Sequence, residues 1–397
     1  MAAARCAATE AVAKVEPTSE SAYDLAPGLS YLNHASVGTM PRVVRQALGR
    51  YLETCETNPW LYVWGGGWSE ALAQVHEKAA AFIGCEKNDL ALIRNTTAAF
   101  GLAANGLDFI EGRRNEVLFP QLNHVGAAAS WEAAGEAREF TVRRFDLNLA
   151  DVPNWSEDDI VSAYSKAISD RTAVLVLPHV DNVLGVRHPV KRIASVARLK
   201  GVRFVCVDAA QTVGMLPLNA ADLGVDLFAT STHKWVQAPK GTGLMYLSPK
   251  MREHLRPQVT TWGQKRWEGT AQAFTDFGTR ALPMLLALND AFDFHKRLPH
   301  RVEHYRSLFE AARERVDAHP KLEWRSPRRF EQGASLFAVG VKGPKVNVLA
   351  KRLFEENGIV LRAFEGPGRN HLRVSPNLSN SPAELESFFE RLDALLS

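Results

Sequence analysis

Between about residue 70 and residue 250, short apolar runs of β-forming residues alternate with segments long enough to be helices. Strands that are apolar at every position have both faces buried, and helix-length connections between them are typical of parallel pairing. The alternation therefore predicts an α/β fold, with a doubly wound, mostly parallel sheet covered by helices on both faces. The predicted strands are 90–94, 115–120, 139–145, 173–179, 203–208, 226–232 and 243–248.

The pattern changes after "TRALPMLLALNDAFDFHKRL", which ends at residue 298. A long helical segment over 300–320 is followed by three short strands and two more helices. The last helix should begin near "SPAE" at 381–384, where serine can cap the helix and proline suits its first turn. We therefore expect three parts: a flexible tail over 1–24, a large domain over 25–285 whose first segment lines the site, and a smaller α+β domain over 286–397.

Composition and charge argue against several classes of protein. The formal charge is only +3, and the basic clusters are short and lack interleaved aromatic residues, so we expect no nucleic-acid partner. No apolar run approaches the length of a membrane-spanning helix, so we expect no membrane partner. The widely spaced cysteines predict neither a disulfide framework nor a metal site and fit a cytoplasmic protein. These cysteines are Cys6, Cys55, Cys85 and Cys206.

Lys234 lies in "STHKW", directly after a predicted strand. A lysine desolvated at the end of a buried strand has a lowered pKa, and its free amine can attack a carbonyl to form a Schiff base. Alternatively, its aliphatic stem covers apolar surface while the ammonium reaches water. This stretch alone does not decide between the two interpretations.

Asp208 closes another predicted strand, in "VCVDAAQTVG". Ligands bind at the carboxyl ends of strands in parallel sheets, so this carboxylate is expected to face a ligand crevice. An aspartate paired with the protonated pyridine nitrogen makes pyridoxal phosphate a stronger electron sink. A helix N-cap is the alternative role for an isolated aspartate at the end of a strand.

The stretch "LIRNTTAAFGLAANGL" over 92–107 passes from a strand through Asn-Thr-Thr into a helix. The N–H groups at a helix start, together with two hydroxyl groups, can hold a phosphate. A threonine N-cap that binds no ligand is the alternative. Ser231 and His233, just before Lys234, could donate to the same phosphate, so three segments converge on one ligand.

In their order and spacing, these stretches resemble the class V aminotransferases, a fold-type I group of pyridoxal-phosphate enzymes that includes cysteine desulfurases and isopenicillin-N-epimerase-like proteins. The resemblance covers about residues 30–385. It is carried by "YLNHASVGTMP", "RNTTAAFGLAANGL", "HVDNVLGV", "VDAAQTVG", "STHKW", "DFGTRALP" and "LRVSPNLSN". It implies an enzyme that uses pyridoxal phosphate to act on an α-amino acid or on a compound containing one.

The resemblance also implies roles for individual residues. Lys234 would form the Schiff base and carry protons at Cα, while Asp208 would pair with the pyridine nitrogen. Arg373 would bind the substrate carboxylate, for which a surface salt bridge is the alternative. The remaining cofactor-binding residues would be Gln211 and Asn182 near the phenolic oxygen, Thr96, Thr97, Ser231 and His233 at the phosphate, and His124 stacked on the ring.

Three further positions carry expectations of their own. Thr279 in "DFGTR" would reach the phosphate of the other subunit's cofactor, which implies a homodimer. Asn33 and His34 fall in a segment that lines the substrate pocket. For His124, an ordinary position in a surface loop is the alternative, because the "VGAAAS" that follows departs from the family's usual residues.

The chain departs from the cysteine desulfurases at one chemically important place. They carry a nucleophilic cysteine shortly before the carboxylate-binding arginine, whereas this chain has "RAFEGPGRNH" there and no cysteine after Cys206. We therefore expect transamination or epimerisation, with direct Cβ–S elimination as an alternative and a catalytically inactive ligand-binding protein as another. The aromatic stretches 58–70 and 260–270 predict packing or a cover over a site, without deciding between them.

Overall fold

The computed structural model describes residues 22–366 and 369–397. Residues 1–21 of the expected tail, and Cys6 with them, lie outside the described residues. The described chain is ordered before residue 25, because Tyr23 is buried and its hydroxyl donates to Gln237 Oε1 at 3.1 Å. Asp24 pairs with Arg42 and Arg45, each at 2.7 Å.

The large sheet has seven strands, each within two residues of its predicted bounds. They are β2 (Leu90–Ile93), β3 (Glu116–Pro120), β4 (Thr141–Phe145), β5 (Thr172–Pro178), β6 (Phe204–Asp208), β7 (Leu227–Ser231) and β8 (Gly243–Leu247), after a short β1 (Ser30–Tyr31). The order across the sheet is β2, β8, β7, β6, β5, β3, β4. Strand β8 is antiparallel to both of its neighbours and the other pairings are parallel. The prediction of a doubly wound, mostly parallel sheet is therefore confirmed.

Both faces of this sheet are buried, as the continuous apolar strands predicted. In β5, Leu175 and Leu177 belong to one hydrophobic cluster, whereas Val174 and Val176 belong to the cluster on the opposite face. The alternation follows from the two-residue period of a strand. Its helices are α1 (Arg42–Thr57), α2 (Pro59–Val63), α3 (Ser69–Ile83), α4 (Thr96–Gly106), α5 (Val125–Arg138), α6 (Glu157–Ala167), α7 (Val190–Leu199), α8 (Pro249–His254), α9 (Gly263–Arg266) and α10 (Leu282–Lys296).

The C-terminal part has its own antiparallel sheet, in the order β12, β13, β10, β9. Its helix α13 starts as predicted, because Ser381 Oγ accepts a hydrogen bond from the N–H of Glu384 at 3.1 Å. The elements are α11 (Arg301–Asp317), β9 (Leu322–Trp324), β10 (Phe337–Val341), α12 (Val346–Asn357), β11 (Ile359–Val360), β12 (Arg362–Gly366), β13 (Arg369–Val374) and α13 (Pro382–Leu396).

The first described residues cross over to this C-terminal part. Strand β1 pairs in parallel with β11, so that Ser30 lies beside Ile359. Leu32 and Ala35 continue into the hydrophobic cluster of the C-terminal sheet and helices. The segment before α1 is therefore attached to the small domain while it leads towards the large one.

The expected division between residues 285 and 286 falls inside α10. Leu286 and Phe292 of this helix share a hydrophobic cluster with Val75 and Ile83 of α3. Since most of the helix packs as one unit against α1 and α3, we propose that the large domain extends to the end of α10. Among the described helices, none is both long enough and apolar enough to span a membrane.

Candidate active site

The carboxyl ends of β5, β6 and β7 open into a cavity of about 350 Å³, which β13 and the segment before α1 close from the other side. A cavity at this edge is expected for a parallel sheet. Most of the predicted site residues meet here. Its lining includes Thr96, Thr97, His124, Asn182, Asp208, Gln211, Ser231, His233, Lys234 and Arg373.

Lys234 lies in this cavity, on the turn that follows β7. Burial lowers the pKa of its ammonium to about 8; Arg373 acts in the same direction, while the negative charge of Asp208 opposes it. With that pKa, roughly a tenth of the amine is uncharged at pH 7. The lysine can therefore act as a nucleophile or a base near neutral pH.

Gly38 supports the Lys234 turn through its backbone. Its N–H donates to the carbonyl of His233 at 2.8 Å. A Cβ built on this glycine would lie 2.0 Å from the carbonyl oxygen of Lys234, so a larger residue would displace the turn. Gly38, in "SVGT", is thus needed so that its backbone can lie close to that of Lys234. Sequence reasoning did not identify this role.

Asp208 ends β6 and faces the cavity, with Oδ1 accepting from the N–H of Ala210 at 2.9 Å. His124 precedes α5, and its Nδ1 accepts from the N–H of Gly126 at 3.0 Å, so the histidine caps this helix. The pKa of His124 is lowered, chiefly by burial, while Asp208 acts to raise it. His124 therefore combines a helix cap with a place in the cavity wall, whereas Asp208 makes only a turn contact, since among the described residues no helix begins directly after β6.

The start of α4 and the end of β7 form a polar end of the cavity. Ser231 Oγ accepts from the N–H of Thr96 at 3.0 Å and lies 2.9 Å from the Thr96 hydroxyl. The N-cap of α4 is Asn95, which accepts from Ala98 N–H at 2.9 Å, so the alternative of a threonine cap is wrong. Because the asparagine takes the capping role, both threonine side chains are left to line the cavity.

His233 borders the same cavity next to Lys234. Burial, and then the positive charges of Lys234 and Lys240, lower its pKa to about 4, so the ring is neutral at pH 7. Its buried Nδ1 has no hydrogen-bond partner among the described residues. Its place in the cavity wall makes the ring available to a ligand.

Arg373 in β13 is only 2% exposed, and its guanidinium donates to three neutral acceptors. Nη1 donates to the carbonyl of Asn182 at 2.9 Å, while Nη2 donates to Asn33 Oδ1 at 2.8 Å and to Ser36 Oγ at 2.6 Å. Burial lowers its pKa to about 9. A buried guanidinium held by neutral groups is well prepared for an anionic ligand, which argues against an ordinary surface salt bridge.

Arg362, which sequence reasoning missed, also lines the cavity. It is the cross-strand partner of Arg373 in the hairpin of β12 and β13, where Gly366 pairs with Arg369. The "GPG" at 366–368 is a recognisable turn signal. Counting outwards from that turn places residue 362 opposite residue 373. The sequence therefore did indicate that Arg362 lies beside Arg373.

Asn33 and His34 have different positions from those expected. Asn33 contacts the guanidinium of Arg373 and the hydroxyl of Ser36 rather than forming part of the cavity lining. His34 is completely buried, with Nε2 3.2 Å from Ser379 Oγ, and burial lowers its pKa to about 3. Ala35 and Ser36 line the cavity instead, because the turn after β1 directs His34 into the core.

Gln211 is buried beside the cavity, where both ends of its amide are engaged. Nε2 donates to the carbonyl of Ala35 at 2.9 Å, and Oε1 accepts from Trp235 Nε1 at 2.7 Å. One amide hydrogen remains available for a ligand. Asn182 lines the cavity, and its backbone carbonyl holds Arg373.

Thr279 is not brought together with the other predicted residues. It lines a second cavity of about 410 Å³, whose aromatic walls come from the two stretches without an assigned role. Trp64 and Trp262 border this cavity and are 52% and 61% exposed. Within a single subunit, Thr279 therefore belongs to a separate, aromatic surface.

Comparison with known proteins agrees with this geometry. The family model for aminotransferase class-V matches residues 30–377, which include the cavity residues described above. The chain belongs to the aminotransferase class-V family. It is an enzyme family that uses pyridoxal phosphate, and this cofactor applies to the present chain as well.

Two relatives illustrate the range of the class-V family. The chain is 29% identical over 395 residues to the isopenicillin N epimerase of Amycolatopsis lactamdurans, which covers 94% of this chain and 96% of that protein. It is 24% identical over 335 residues to a cysteine desulfurase of Rickettsia bellii, which covers 83% of this chain and 78% of the relative. Family membership thus leaves the individual reaction to be argued from the site.

A solved structure supports the class-V fold independently. The complex of the cystine C–S lyase C-DES with its product cysteine persulfide superposes with a TM-score of 0.81 at 22% identity, covering 91% of this chain and 96% of that one. At this level of identity the similarity concerns the fold alone. The overall fold is therefore common to both chains.

The residues of the cavity fit pyridoxal phosphate. The hydroxyls of Thr96 and Ser231 at the start of α4 provide donors suited to its phosphate. At the other end, Asp208 offers a carboxylate for the pyridine nitrogen and Lys234 an amine for the aldehyde. In the described part of the chain, no cluster of histidine, cysteine and acidic side chains is arranged to hold a metal ion.

Proposed function

We propose that this class-V enzyme transfers a proton at Cα of an α-amino acid, or of a compound containing one, with epimerisation or transamination as the outcome. The proposal rests on one observation: Lys234, whose pKa is about 8, lines the same cavity as Arg373. The guanidinium of Arg373 is buried and can bind an anion. An amine near its ionisation point is suited to exchange protons. A buried arginine nearby is suited to hold the carboxylate of the same substrate.

Each residue has a distinct part in this scheme. Arg373 binds the α-carboxylate and thereby orients Cα, while Asn33, Ser36 and the Asn182 carbonyl hold the guanidinium in place. Lys234 removes the Cα proton and can return it. Asp208 would pair with the protonated pyridine nitrogen of the cofactor.

Pyridoxal phosphate, when bound, weakens the Cα–H bond by drawing electrons into its ring. The protein side supplies binding, orientation and proton transfer. Thr96, Thr97, Ser231 and His233 would anchor the phosphate, and His124 would cover one face of the ring. Gln211 and Asn182 would lie near the phenolic oxygen.

Two arginines on one side of the cavity favour an anionic substrate. Arg362 and Arg373 bring positive charge to the wall formed by β12 and β13. Arg362 is more exposed than Arg373 and lies opposite it in the hairpin. We therefore propose that a substrate with an anionic group beyond its α-carboxylate is preferred.

Direct elimination at Cβ is the second candidate function. The segment in which desulfurases carry their nucleophilic cysteine is here the regular hairpin of β12 and β13. Of the described cysteines, Cys55 and Cys206 are buried, and Cys85 is partly buried with its pKa raised to about 12, mainly by burial. If the substrate carries sulfur, its C–S bond would break without a protein thiol.

A homodimer is part of the proposal. Thr279 and the exposed tryptophans form one surface around the second cavity, and exposed aromatic residues of this kind favour a protein partner. We propose that Thr279 reaches the phosphate of the cofactor bound by the neighbouring subunit. A cytoplasmic setting fits the free thiols of Cys55, Cys85 and Cys206.

Deuterium exchange tests the central step. The holo-enzyme is incubated in deuterated water with L- and D-amino acids and with cysteine conjugates, and the products are separated by chirality and mass. Label at Cα with inversion indicates epimerisation, a keto acid indicates transamination, and pyruvate with ammonia indicates elimination. Absence of exchange with every acidic and neutral amino acid, from a protein that retains its cofactor, would favour the inactive binding protein instead.

A further inference from the structure

Asp181 lies between two residues of the cavity wall, Val180 and Asn182, but is itself completely buried. It follows β5 in "HVDNVLGV". The mechanism proposed above assigns it no part. A buried carboxylate one residue from a ligand cavity requires a physical explanation, since burial of a charge is costly unless it is compensated.

Backbone N–H groups compensate the Asp181 carboxylate. Oδ1 accepts from Val183 at 2.8 Å and from Leu184 at 2.7 Å, while Oδ2 accepts from Val186 at 2.6 Å. Charge-assisted hydrogen bonds of this length are the strong kind. The chain from 181 to 186 is therefore wrapped around one carboxylate, which determines the path of the loop.

This loop in turn holds Arg373. The carbonyl of Asn182, inside the wrapped segment, accepts from Arg373 Nη1 at 2.9 Å. The negative charge of Asp181 also acts on Arg373 at longer range, where it opposes the lowering of the arginine's pKa by burial. The aspartate thus affects the arginine both through the backbone and through charge.

We infer that Asp181 is a positioning residue for carboxylate binding. It fixes the Asn182 carbonyl that orients Arg373, and its negative charge balances the positive charge of the guanidinium. A carboxylate bound directly to Arg373 would compete with the substrate. Held by backbone N–H groups instead, Asp181 leaves the guanidinium for an external carboxylate. This inference rests on the proposed role of Arg373 in binding an amino acid.

The ionisation of Asp181 provides a second way to test this role. Burial raises its pKa to about 6, although the backbone N–H groups oppose the shift. The titratable groups that face it are Arg373 from β13 and Tyr164 from α6. Protonation below pH 6 would remove the charge that balances Arg373 and weaken the loop's hydrogen bonds.

Asp181→Asn tests the inference with two matched probes, L-alanine and L-alaninamide, which differ in the carboxylate. Dissociation constants for the holo-enzyme are measured from the absorbance change of the bound cofactor, and cofactor content is determined separately. We expect the preference for alanine over alaninamide to fall about tenfold in the variant, a size usual for coupling through a packed network. A merely structural role would weaken both probes equally and leave the preference unchanged.

Asp226→Asn is the matched control. Asp226 is also buried and also accepts from a backbone N–H, that of Val205 at 2.7 Å, but it precedes β7 at the opposite edge of the sheet. This variant should lose stability while keeping the native preference for alanine. Equal effects of the two substitutions on the preference would overturn the inference.

The native enzyme provides a test that does not depend on folding of a variant. Both probe amines are mostly protonated at pH 7 and below, so their titration largely cancels in the ratio of the two dissociation constants. The preference for alanine should fall as the pH drops through about 6, and a constant preference between pH 7 and pH 5 contradicts the inference. If the native enzyme shows no preference for alanine at pH 7, both this inference and the proposed role of Arg373 are wrong.

Discussion

Asn33 Oδ1 accepts a hydrogen bond from Arg373 Nη2 at 2.8 Å, although 340 positions separate the two residues. The asparagine therefore does not have to touch a substrate to affect its binding. It holds one arm of the guanidinium, while the Asn182 carbonyl holds the other. The carboxylate site is a small framework built from three distant parts of the chain.

Arg373→Lys should raise KM for carboxylate substrates by about 30-fold or more and change kcat less. Lysine retains the positive charge but cannot bind a carboxylate while maintaining both framework contacts. Steady-state kinetics with an accepted amino acid checks this. Arg315→Lys, which alters a surface pair with Glu386 and Asp393, is the control and should leave KM unchanged.

Lys234→Ala should retain pyridoxal phosphate non-covalently and lose about 10²- to 10⁴-fold or more in turnover, because the base at Cα is gone. Borohydride reduction of the native protein should attach the cofactor to the peptide that contains residue 234, as detected by mass. Lys240→Ala removes a nearby lysine outside the cavity wall and should remain active. Cofactor attached to a different lysine would contradict the assignment.

The attachment of pyridoxal phosphate to the cofactor-free protein should depend on pH in a specific way. Only the uncharged amine attacks the aldehyde, and the pKa of Lys234 is lowered to about 8. The initial rate should therefore rise about tenfold per pH unit below pH 8 and level off above it. A rise that continues to pH 10 would show that Lys234 has the pKa of an ordinary exposed lysine.

Thr279→Ala should weaken retention of the cofactor without unfolding the protein, if this residue serves the neighbouring subunit. Cofactor loss on dialysis and the melting temperature are the two measurements. In sedimentation experiments the native protein should be a dimer at assay concentrations. A fully active monomer would contradict the shared site.

Replacing Cys6, Cys55, Cys85 and Cys206 together by serine or alanine should leave turnover within a few-fold. The buried Cys206 is expected to account for most of the stability loss, about 1 kcal/mol in the free energy of unfolding. Activity is compared with native protein at equal cofactor content. Abolition of turnover by a change at one exposed cysteine alone, with cofactor binding intact, would reveal a thiol nucleophile and make cysteine desulfuration the preferred function.

Features determined by local patterns were predictable from the sequence. The strands of the large sheet were found because apolar runs and turn residues mark them, and the placement of Lys234 and Asp208 at strand ends brings both to one cavity. The start of α13 at Ser381 followed from capping chemistry alone. In each case neighbours in sequence carry the information.

Features that depend on distant contacts were harder to predict. The local pattern around His34 does not show that its ring faces Ser379 in the core, and nothing near Arg362 shows that it shares a cavity with Lys234. The exception is the hairpin register, which relates residues 362 and 373 through a turn. Thr279 is expected to serve the cofactor of the other subunit, and a contact between subunits leaves no local pattern in the sequence.

The pairing of β1 with β11 has a consequence for the order in which this protein can fold. Residues 30 and 31 find their partners only after residue 360 has been synthesised, and Asn33 finds Arg373 later still. Contacts of such long sequence separation close large loops and form slowly. A nascent chain that has emerged only through β8 contains the residues of the cofactor cavity up to Lys234 but lacks Arg373, so it cannot yet bind the carboxylate of an amino acid.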